Sequence, residues 1–364
     1  MKYFPLSPDE LNNQWLTEVL RGSGELTGQG QIDRFSYIYI GGGVGLLGMV
    51  LRIYLTYQGN EIGPDSLVIK FAHDQPENRQ IANNTKLYER EVSFFNDIAP
   101  DLEIAMPKCH FAAFDTESGG NVVVLEDLHD YALGDQISGI TAEKAFMVAD
   151  IIAPLHATFW GKGEATFPHM FRVDSDDFIE RSTPGFHGSW ENALERFPGF
   201  FPDPLKDALP RYVKGLNNIY KDMGNTTKTV IHGDVRMDNA LSGEGKPGLL
   251  PVILIDWQDA MVSNPLYDIA WMTATSLSVE TRRECEQDLL AHYVACLQNA
   301  GVENYSLEQC EKDYDIALLF ILHFTILIAG VFDISEEKGR TLAETGLERS
   351  ITAVLDRNCL SLIR

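Results

Sequence analysis

The chain has 364 residues, with 29 Lys and Arg against 53 Asp and Glu, so its formal net charge is −24. Hydrophobic residues make up 45% and charged residues 23%, which is normal for a globular protein and excludes a wholly disordered chain. The acidic excess argues against nucleic acid or a membrane surface as the main partner, because both need a basic surface.

Cysteine usage and the chain ends bear on the cellular setting. The five cysteines are widely spaced and include no Cys-x-x-Cys pair, which is typical of reduced thiols and favours a cytoplasmic protein. Residues 1–14 lack the apolar core of a signal peptide. The apolar stretch 316–332 is short for a membrane span, so we expect a buried helix there.

The first third of the chain reads as a sheet with one inserted helix. A helix is predicted to begin at Ser7, where the sequence Ser-Pro-Asp-Glu forms a capping box, and to continue through the apolar stripe of Leu11, Trp15, Val19 and Leu20. A helix is predicted near 84–98, with Leu87, Glu91 and Phe94 on one side. Apolar alternation and turn residues predict strands in the following segments: 35–40, 45–57, 66–72, 111–115 and 121–126.

From residue 128 onward the pattern is mostly helical. One β-rich island interrupts it, over 230–231, 240–241 and 251–256, and the junction near 126–130 is the candidate hinge. Helical periodicity predicts these segments: 141–160, 190–196, 205–223, 268–277, 281–300, 306–332 and 338–362.

The strongest chemical signal lies in this island. Residues 232–239 read HGDVRMDN and residues 255–258 read IDWQ, so Asp234, Asn239 and Asp256 each adjoin a β-rich run. The pattern suits phosphoryl transfer, in which one carboxylate orients an attacking hydroxyl and accepts its proton. An Asn oxygen and a second carboxylate can hold Mg²⁺, which prefers hard oxygen ligands.

The motif H-G-D-x-x-x-x-N followed by I-D-W-Q resembles the aminoglycoside phosphotransferase and choline kinase superfamily. The segments LHATFW at 155–160, EREVSFF at 89–95 and VLEDL at 124–128 resemble its ecdysteroid-kinase-like branch, also called CHK-kinase-like. Arg236 is more similar to the branch associated with acyl-CoA dehydrogenases. The resemblance covers residues 30–360.

This resemblance implies an α+β, two-lobed, protein-kinase-like fold. Residues 1–127 would form an N-terminal nucleotide-binding lobe, an antiparallel sheet plus a helix. Residues 128–364 would form a larger, mostly helical C-terminal lobe with the catalytic loop, metal site and substrate pocket. Matched to the family motif, Asp234 is the catalytic base and Asn239 and Asp256 are Mg²⁺ ligands, while His232 and Asp268 are expected to support the loop.

The sheet half is expected to contact the nucleotide. Lys70 is a lone cation in the apolar strand LVIKFA, where an unpaired charge would be costly. The resemblance gives it a phosphate and a glutamate as partners. Glu91 is the better candidate, because it shares the inward helix face with Leu87 and Phe94, whereas Glu89 points elsewhere.

Two backbone segments complete the predicted ATP site. The stretch GGGVGLLG at 41–48 contains Gly42, Gly43 and Gly45, whose backbone amides can approach phosphates closely. A strand follows it, which excludes a Rossmann motif, and the sequence has no P-loop. By resemblance, Glu126 and Leu128 at the junction offer backbone groups to adenine, with the Glu126 and Asp127 side chains solvated or bridging the lobes.

Only eight residues separate Asp256 from Pro265, so no long activation segment is present. A docking platform for a protein substrate is therefore missing, which favours a small-molecule kinase over a protein kinase. We predict an ATP- and Mg²⁺-dependent phosphotransferase with an alcohol group as acceptor, and a monomer or weak homodimer that binds no nucleic acid and no membrane. The alternative is a non-catalytic nucleotide-binding or scaffold protein on the same fold.

The acceptor stays open between a sterol-like alcohol, an amino sugar and a choline-like compound. Asp174, Asp176 and Asp177 could attract a cationic substrate or form a solvated loop. A set of aromatic side chains could line an apolar pocket or belong to the core: Phe186, Trp190, Phe197, Phe200 and Phe201.

Overall fold

The computed structural model describes residues 3–27, 29–41, 47–59, 62–168, 170–331 and 337–364. The chain divides into two compact units. The first unit consists of Met1–Tyr131 together with Asp256–Asp259, and the second of Ala132–Ile255 and Ala260–Arg364. The predicted domain boundary between residues 127 and 128 stays a prediction.

A five-stranded antiparallel sheet forms the frame of the first unit, in the strand order β1-β2-β3-β5-β4. Its central strand β3 carries Lys70, which pairs with Val50 on one side and Val123 on the other. The strands have these bounds: β1 Ile32–Ile40, β2 Gly48–Tyr57, β3 Ser66–Ala72, β4 Cys109–Asp115 and β5 Gly120–Glu126. The predicted hairpin of β4 and β5 is present.

Helix α1, Asn13–Gly22, covers one face of this sheet. The side chain of Asn12 caps it by accepting the backbone N–H of Trp15 at 2.9 Å. Trp15 and Leu16 then pack into a buried cluster with sheet residues such as Leu51 and Ile69. Burial of this apolar stripe, rather than helix propensity alone, holds the short helix in place.

The predicted helix near 84–98 is present over residues 87–98, but it begins three residues later than predicted. Helix α2 spans Pro76–Asn84, and α3 spans Leu87–Ser93. Lys86 between them has φ 56°, a left-handed conformation that no α-helix can continue through. The helix then continues as wider π-helical turns over Phe94–Ile98. The break therefore fixes where the Glu91-bearing helix begins.

The second unit is mostly helical. Its helices are α4 Ala142–Thr158, α5 Gly163–Thr166, α6 Asp176–His187, α7 Trp190–Arg196, α8 Asp203–Gly224, α9 Leu266–Ser276, α10 Val279–Asn299, α11 Leu307–Val331 and α12 Glu337–Asp356. The helices α2, α5 and α6 are absent from the sequence prediction. Helices α2 and α6 begin with polar segments in which apolar periodicity is weak, and α5 has only four residues.

Four short strands of the second unit form two antiparallel pairs. Strand β6, Thr229–Ile231, pairs with β9, Met261–Ser263. Strand β7, Ala240–Ser242, pairs with β8, Val252–Leu254. The predicted island contains three of these strands, and β9 is the additional one.

Helix α11 is the one described helix that is long and apolar enough to cross a membrane, but 67% of its most apolar window is buried inside the protein. This agrees with the predicted core helix. His323 on α11 is fully buried: its Nδ1 lies 2.7 Å from the Phe320 carbonyl oxygen and its Nε2 lies 2.8 Å from the Tyr220 hydroxyl. Burial lowers the pKa of His323 to about 4.

Candidate active site

A buried carboxylate anchors the start of the loop that carries the HGD motif. Asp268 on α9 accepts the backbone N–H of His232 at 2.7 Å through Oδ2 and that of Gly233 at 2.8 Å through Oδ1. His156 Nε2 lies 3.2 Å from the same Oδ2. Gly233 has φ 85°, which a glycine adopts without strain. These contacts support the predicted structural role of Asp268.

His232 braces the same loop from inside. Its side chain is fully buried. The Asp234 backbone N–H donates to Nδ1 at 3.3 Å, which leaves the ring proton on Nε2 to be donated to the Ile255 carbonyl oxygen at 3.0 Å. Ile255 directly precedes Asp256 in the chain. The histidine therefore ties the motif to the end of β8, in agreement with the predicted backbone-bracing role.

The structure brings Asp234 and Asn239 together. Asn239 Nδ2 donates to Asp234 Oδ2 at 2.8 Å and to the Asp234 backbone oxygen at 3.0 Å. A 3₁₀ turn over Met237–Asn239 positions the asparagine. Because both contacts use the amide nitrogen, the side-chain oxygen of Asn239 faces away from the aspartate and can act as a ligand.

Two residues near this loop were not assigned a role from the sequence. Arg236 Nε lies 3.1 Å from Asp234 Oδ2, so a guanidinium also holds this carboxylate. This contact could have been inferred from the sequence, because Arg236 lies only two positions after Asp234. Gln136 accepts the Met237 backbone N–H at 2.8 Å. No local signal could have identified a support 101 residues away in the chain.

In the first unit, one ammonium is shared by two carboxylates. Lys70 Nζ lies 2.6 Å from Glu91 Oε1 and 2.6 Å from Asp256 Oδ1. The Glu91 side chain is only 3% exposed, so this is a buried ion pair rather than a surface contact. The structure thus joins Lys70 to the glutamate that the helical-face argument favoured.

The charged groups of this cluster shift one another's pKa. Burial disfavours the charged ammonium, but the carboxylates of Asp256 and Glu91 outweigh it and raise the pKa of Lys70. Burial raises the pKa of Glu91, while the Lys70 ammonium opposes this and the negative charge of Asp256 adds to it. The two carboxylates therefore hold Lys70 in its charged form.

The backbone around Asp256 is strained and firmly held. Asp256 has φ 67°, a conformation that costs a non-glycine residue free energy and is concentrated at functional sites. The next residue, Trp257, stacks on Phe94 with ring centroids 4.2 Å apart and an interplanar angle of 4°. Arg90 Nη1 then lies 3.5 Å from Asp259 Oδ1. The residues that follow Asp256 are therefore held against α3 and the first residue of the π-helical turn.

The other predicted nucleotide contacts are only partly described. Gly42, Gly43 and Gly45 lie outside the described residues. Glu126 ends β5 and donates its backbone N–H to the Lys108 carbonyl oxygen at 2.8 Å. Leu128 is half-buried. The roles of all five in binding ATP stay predictions.

Asp127 differs from its expected solvated or lobe-bridging state. Its side chain is 2% exposed and pairs with the Arg52 guanidinium at 2.8 Å. The Ser66 hydroxyl also donates to it, at 2.6 Å. All three residues belong to the first unit, where Asp127, just after β5, connects the middle of β2 with the start of β3.

The acidic and aromatic groups that left the acceptor open have structural partners. Asp174 pairs with Lys228 at 3.0 Å and Asp176 with Lys221 at 2.7 Å, so local lysines already compensate these charges. The Phe186, Phe197 and Phe201 rings are buried in the helical core. Neither group therefore favours a particular acceptor.

Known structures share the fold. The microcompartment-associated aminopropanol kinase aligns with a TM-score of 0.53 at 14% identity, over 96% of this chain and 99% of the other. A Ralstonia eutropha structure assigned as an aminoglycoside phosphotransferase aligns with a TM-score of 0.53 at 13% identity, over 96% and 98%. At these identities the alignments bear on fold alone, and they confirm the predicted two-lobed α+β class.

Sequence comparison identifies the family. No curated protein shows significant similarity to the chain. The sequence model of the ecdysteroid kinase-like family matches residues 43–302, more than two thirds of the chain. The match confirms the predicted superfamily and, with it, the predicted enzyme class, an ATP-dependent phosphotransferase with an alcohol group as acceptor. The chain belongs to the ecdysteroid kinase-like family.

Proposed function

We propose that this protein transfers the γ-phosphoryl group of ATP to a hydroxyl group of a small molecule, with Mg²⁺ as the required ion. One observation carries the proposal: the carboxylate of Asp234 is joined to the Asn239 amide at 2.8 Å in a loop whose backbone is anchored to the buried Asp268. This supports the proposal, because phosphoryl transfer needs a base and an oxygen ligand for the metal ion at fixed positions close together.

In this proposal Asp234 orients the acceptor hydroxyl and takes its proton. The donors Asn239 Nδ2 and Arg236 Nε both meet Oδ2, so they fix the plane of the carboxylate before any substrate arrives. A positioned base of this kind typically accelerates a reaction by about 10²–10⁴-fold. Most of the remaining rate enhancement is expected from alignment and charge neutralisation.

Asn239 and Asp256 supply oxygen donors that fit Mg²⁺ better than a softer metal. The position of Asp256 supports the same assignment, because its Oδ1 lies 2.6 Å from the Lys70 ammonium, which would contact the phosphates that Mg²⁺ accompanies. When bound, Mg²⁺ would neutralise charge on the transferred phosphoryl group. Lys70 would contact the phosphates, with Glu91 holding its ammonium, while Gly42, Gly43, Gly45, Glu126 and Leu128 would contribute backbone groups to ATP.

The acceptor can be identified by a screen for stimulated ADP release. The panel should contain sterols, neutral alcohols, amino alcohols, amino sugars and choline-like compounds, each tested with and without Mg²⁺. Amino alcohols are included because a kinase of the same fold acts on aminopropanol. Stimulation by one class, dependent on Mg²⁺, is the expected result.

The residue assignment is tested by Asp234→Ala. We expect turnover to fall by about 10²–10⁴-fold while the ATP dissociation constant stays nearly unchanged, because the base acts only in the chemical step. Asp203→Ala, at an aspartate that is 93% exposed on α8, is the matched control and should leave turnover unchanged.

An Asp234→Ala variant as active as the wild type would overturn the role of Asp234. A thermal-shift assay with ATP addresses the scaffold alternative. Stabilisation that depends on Mg²⁺ agrees with an enzyme, whereas the absence of any response to ATP would favour a non-catalytic protein.

A further inference from the structure

Three different metal-ligating side chains converge on the surface of the second unit. His292 and Cys296 are four residues apart on α10 and so lie on one face of that helix. Asp150 faces them from α4. Asp150 Oδ1 lies 2.7 Å from His292 Nε2 and 3.3 Å from Cys296 Sγ, and the sulfur lies 3.4 Å from the same nitrogen. Within the described ranges, no other group of three such residues is this compact.

We propose that Asp150, His292 and Cys296 bind a Zn²⁺-class transition-metal ion that joins α4 to α10. A tetrahedral Zn²⁺ with ordinary bond lengths places its ligand atoms about 3.3–3.6 Å from one another. The two separations that involve sulfur already have this value. Only the distance between His292 Nε2 and Asp150 Oδ1 must increase, by about 0.6 Å, to reach the separation of two ligand atoms on one ion.

The donor set selects the class of ion. One imidazole nitrogen, one sulfur and one carboxylate oxygen match Zn²⁺ or Co²⁺, whereas Mg²⁺ and Ca²⁺ bind oxygen. A thiolate, a carboxylate and a neutral imidazole carry two negative charges, which a divalent ion neutralises. Asp150 is 55% exposed, so the site is open to solvent and a water molecule can supply the fourth ligand.

Binding also requires a defined movement of protons. The Cys296 thiol releases its proton to solvent as the sulfur–metal bond forms. The proton that His292 Nε2 shares with Asp150 must leave or transfer to Nδ1, so that the Nε2 lone pair faces the ion. The Phe146 ring packs edge-on against His292, with centroids 5.1 Å apart, and limits rotation of the imidazole.

A redox-active cysteine is the main competing interpretation of this cluster. Cys296 Sγ lies 3.3 Å from Asp150 Oδ1 and 3.4 Å from His292 Nε2, so three possible ligand atoms face one point. Metal binding uses all three of these side chains, whereas oxidation of a thiol needs only the cysteine. The convergence therefore favours metal binding over oxidation chemistry.

The site adjoins the support of the HGD loop. Tyr293, next to His292, contacts His156 Nδ1 through its hydroxyl at 2.7 Å, and His156 in turn contacts Asp268. An ion that joins α4 to α10 would stabilise the helix pair behind that loop. Metal binding should therefore raise the melting temperature of the whole protein.

The test uses the full chain, reduced, stripped of metals and free of nucleotide. Titration with Co²⁺ should saturate at one equivalent and produce tetrahedral visible bands with a thiolate-to-cobalt charge-transfer band. One equivalent of Zn²⁺ should displace Co²⁺ and remove both sets of bands, whereas excess Mg²⁺ should leave them unchanged. Cys296→Ser should lose the charge-transfer band and weaken binding at least about 100-fold, while the control Cys109→Ser keeps both.

Several outcomes would overturn the site. They are a wild-type protein with no saturable Co²⁺ spectrum, a Cys296→Ser variant with the wild-type spectrum, or displacement of Co²⁺ by Mg²⁺. If Cys296→Ser fails to fold, as judged by circular dichroism, His292→Asn decides, since it must also weaken binding by about 100-fold. These measurements involve no phosphoryl transfer, so they stand or fall apart from the kinase proposal.

Discussion

The loop that carries Asp234 and the segment that carries Asp256 hold their carboxylates by different means. The loop is fixed by its own backbone N–H groups, which donate hydrogen bonds to the side-chain oxygens of Asp268 and Gln136. The segment is fixed by charge, because Asp256 shares the Lys70 ammonium with Glu91. The backbone hydrogen bonds of the loop stay in place in the folded protein, whereas a charged side chain can exchange one ionic partner for another.

This difference suits the two proposed roles. A base that must meet a hydroxyl group at a defined angle benefits from a rigid backbone. A carboxylate that is to bind a metal ion benefits from being held by an ion pair, because such a contact can be exchanged for another cation. Substitutions that convert a carboxylate to an amide, or that remove the shared cation, can distinguish a carboxylate held through backbone hydrogen bonds from one held by charge.

The largest effect is expected for Lys70→Met. It leaves the buried Glu91 beside Asp256 without the cation they share, which should lower the free energy of unfolding by about 3–5 kcal/mol at pH 7. Urea unfolding measures this. Lys206→Met, at a lysine whose side chain is 41% exposed, is the control and should change stability by about 0.5 kcal/mol or less.

The same variant has a diagnostic pH dependence. The pKa of Glu91 is already raised by burial, and losing Lys70 raises it further. The folded variant then takes up a proton at a higher pH than the unfolded chain does. The difference in free energy of unfolding between wild type and variant should therefore become smaller as pH falls from 7 toward 5. A difference that does not change with pH would show that the segment carrying Asp256 is not held by charge.

The next largest effect is expected for Asp268→Asn. An amide has one acceptor oxygen, so either the His232 or the Gly233 backbone N–H loses its partner inside the protein. A cost of about 3 kcal/mol is expected from the buried, unsatisfied donor and the lost charge-assisted bond. Faster hydrogen exchange at these two amides should accompany it. Asp203→Asn on the exposed surface of α8 is the matched control.

The smallest effect on stability is expected for Asp256→Asn. The substitution removes one of two carboxylates around one ammonium, and asparagine tolerates the φ of 67° at this position. The free energy of unfolding should change by about 1 kcal/mol or less, while Mg²⁺-dependent ATP affinity falls. A loss as large as that of Asp268→Asn would contradict the comparison, because both carboxylates would then be structural.

Part of this site could be read from local sequence. A lysine within an apolar strand demands an ionic partner, and the helical face shared with Leu87 pointed to Glu91, which the structure places 2.6 Å away. The HGD motif and its asparagine were likewise local, since five residues separate Asp234 from Asn239. Arguments from periodicity and short spacing succeed where the contact is made within one element or between two with clear faces.

Long-range contacts could not be read in this way. Gln136 supports the Met237 backbone across 101 residues, and Asp150 meets His292 across 142. The helix break at Lys86 also escaped prediction, because it follows the asparagines and threonine of a weak helix end rather than a proline or glycine. Such features depend on how distant elements pack, which apolar periodicity does not encode.

The imidazole buried in α11 sets a limit on the acid tolerance of the helical unit. In the unfolded chain His323 binds a proton near pH 6.5, whereas in the folded protein it resists one until about pH 4. The stabilising contribution is complete above pH 6.5 and is lost progressively as pH falls toward 4, by about 3 kcal/mol in all. Burial of this one histidine therefore makes the stability of helix α11 depend on a near-neutral pH.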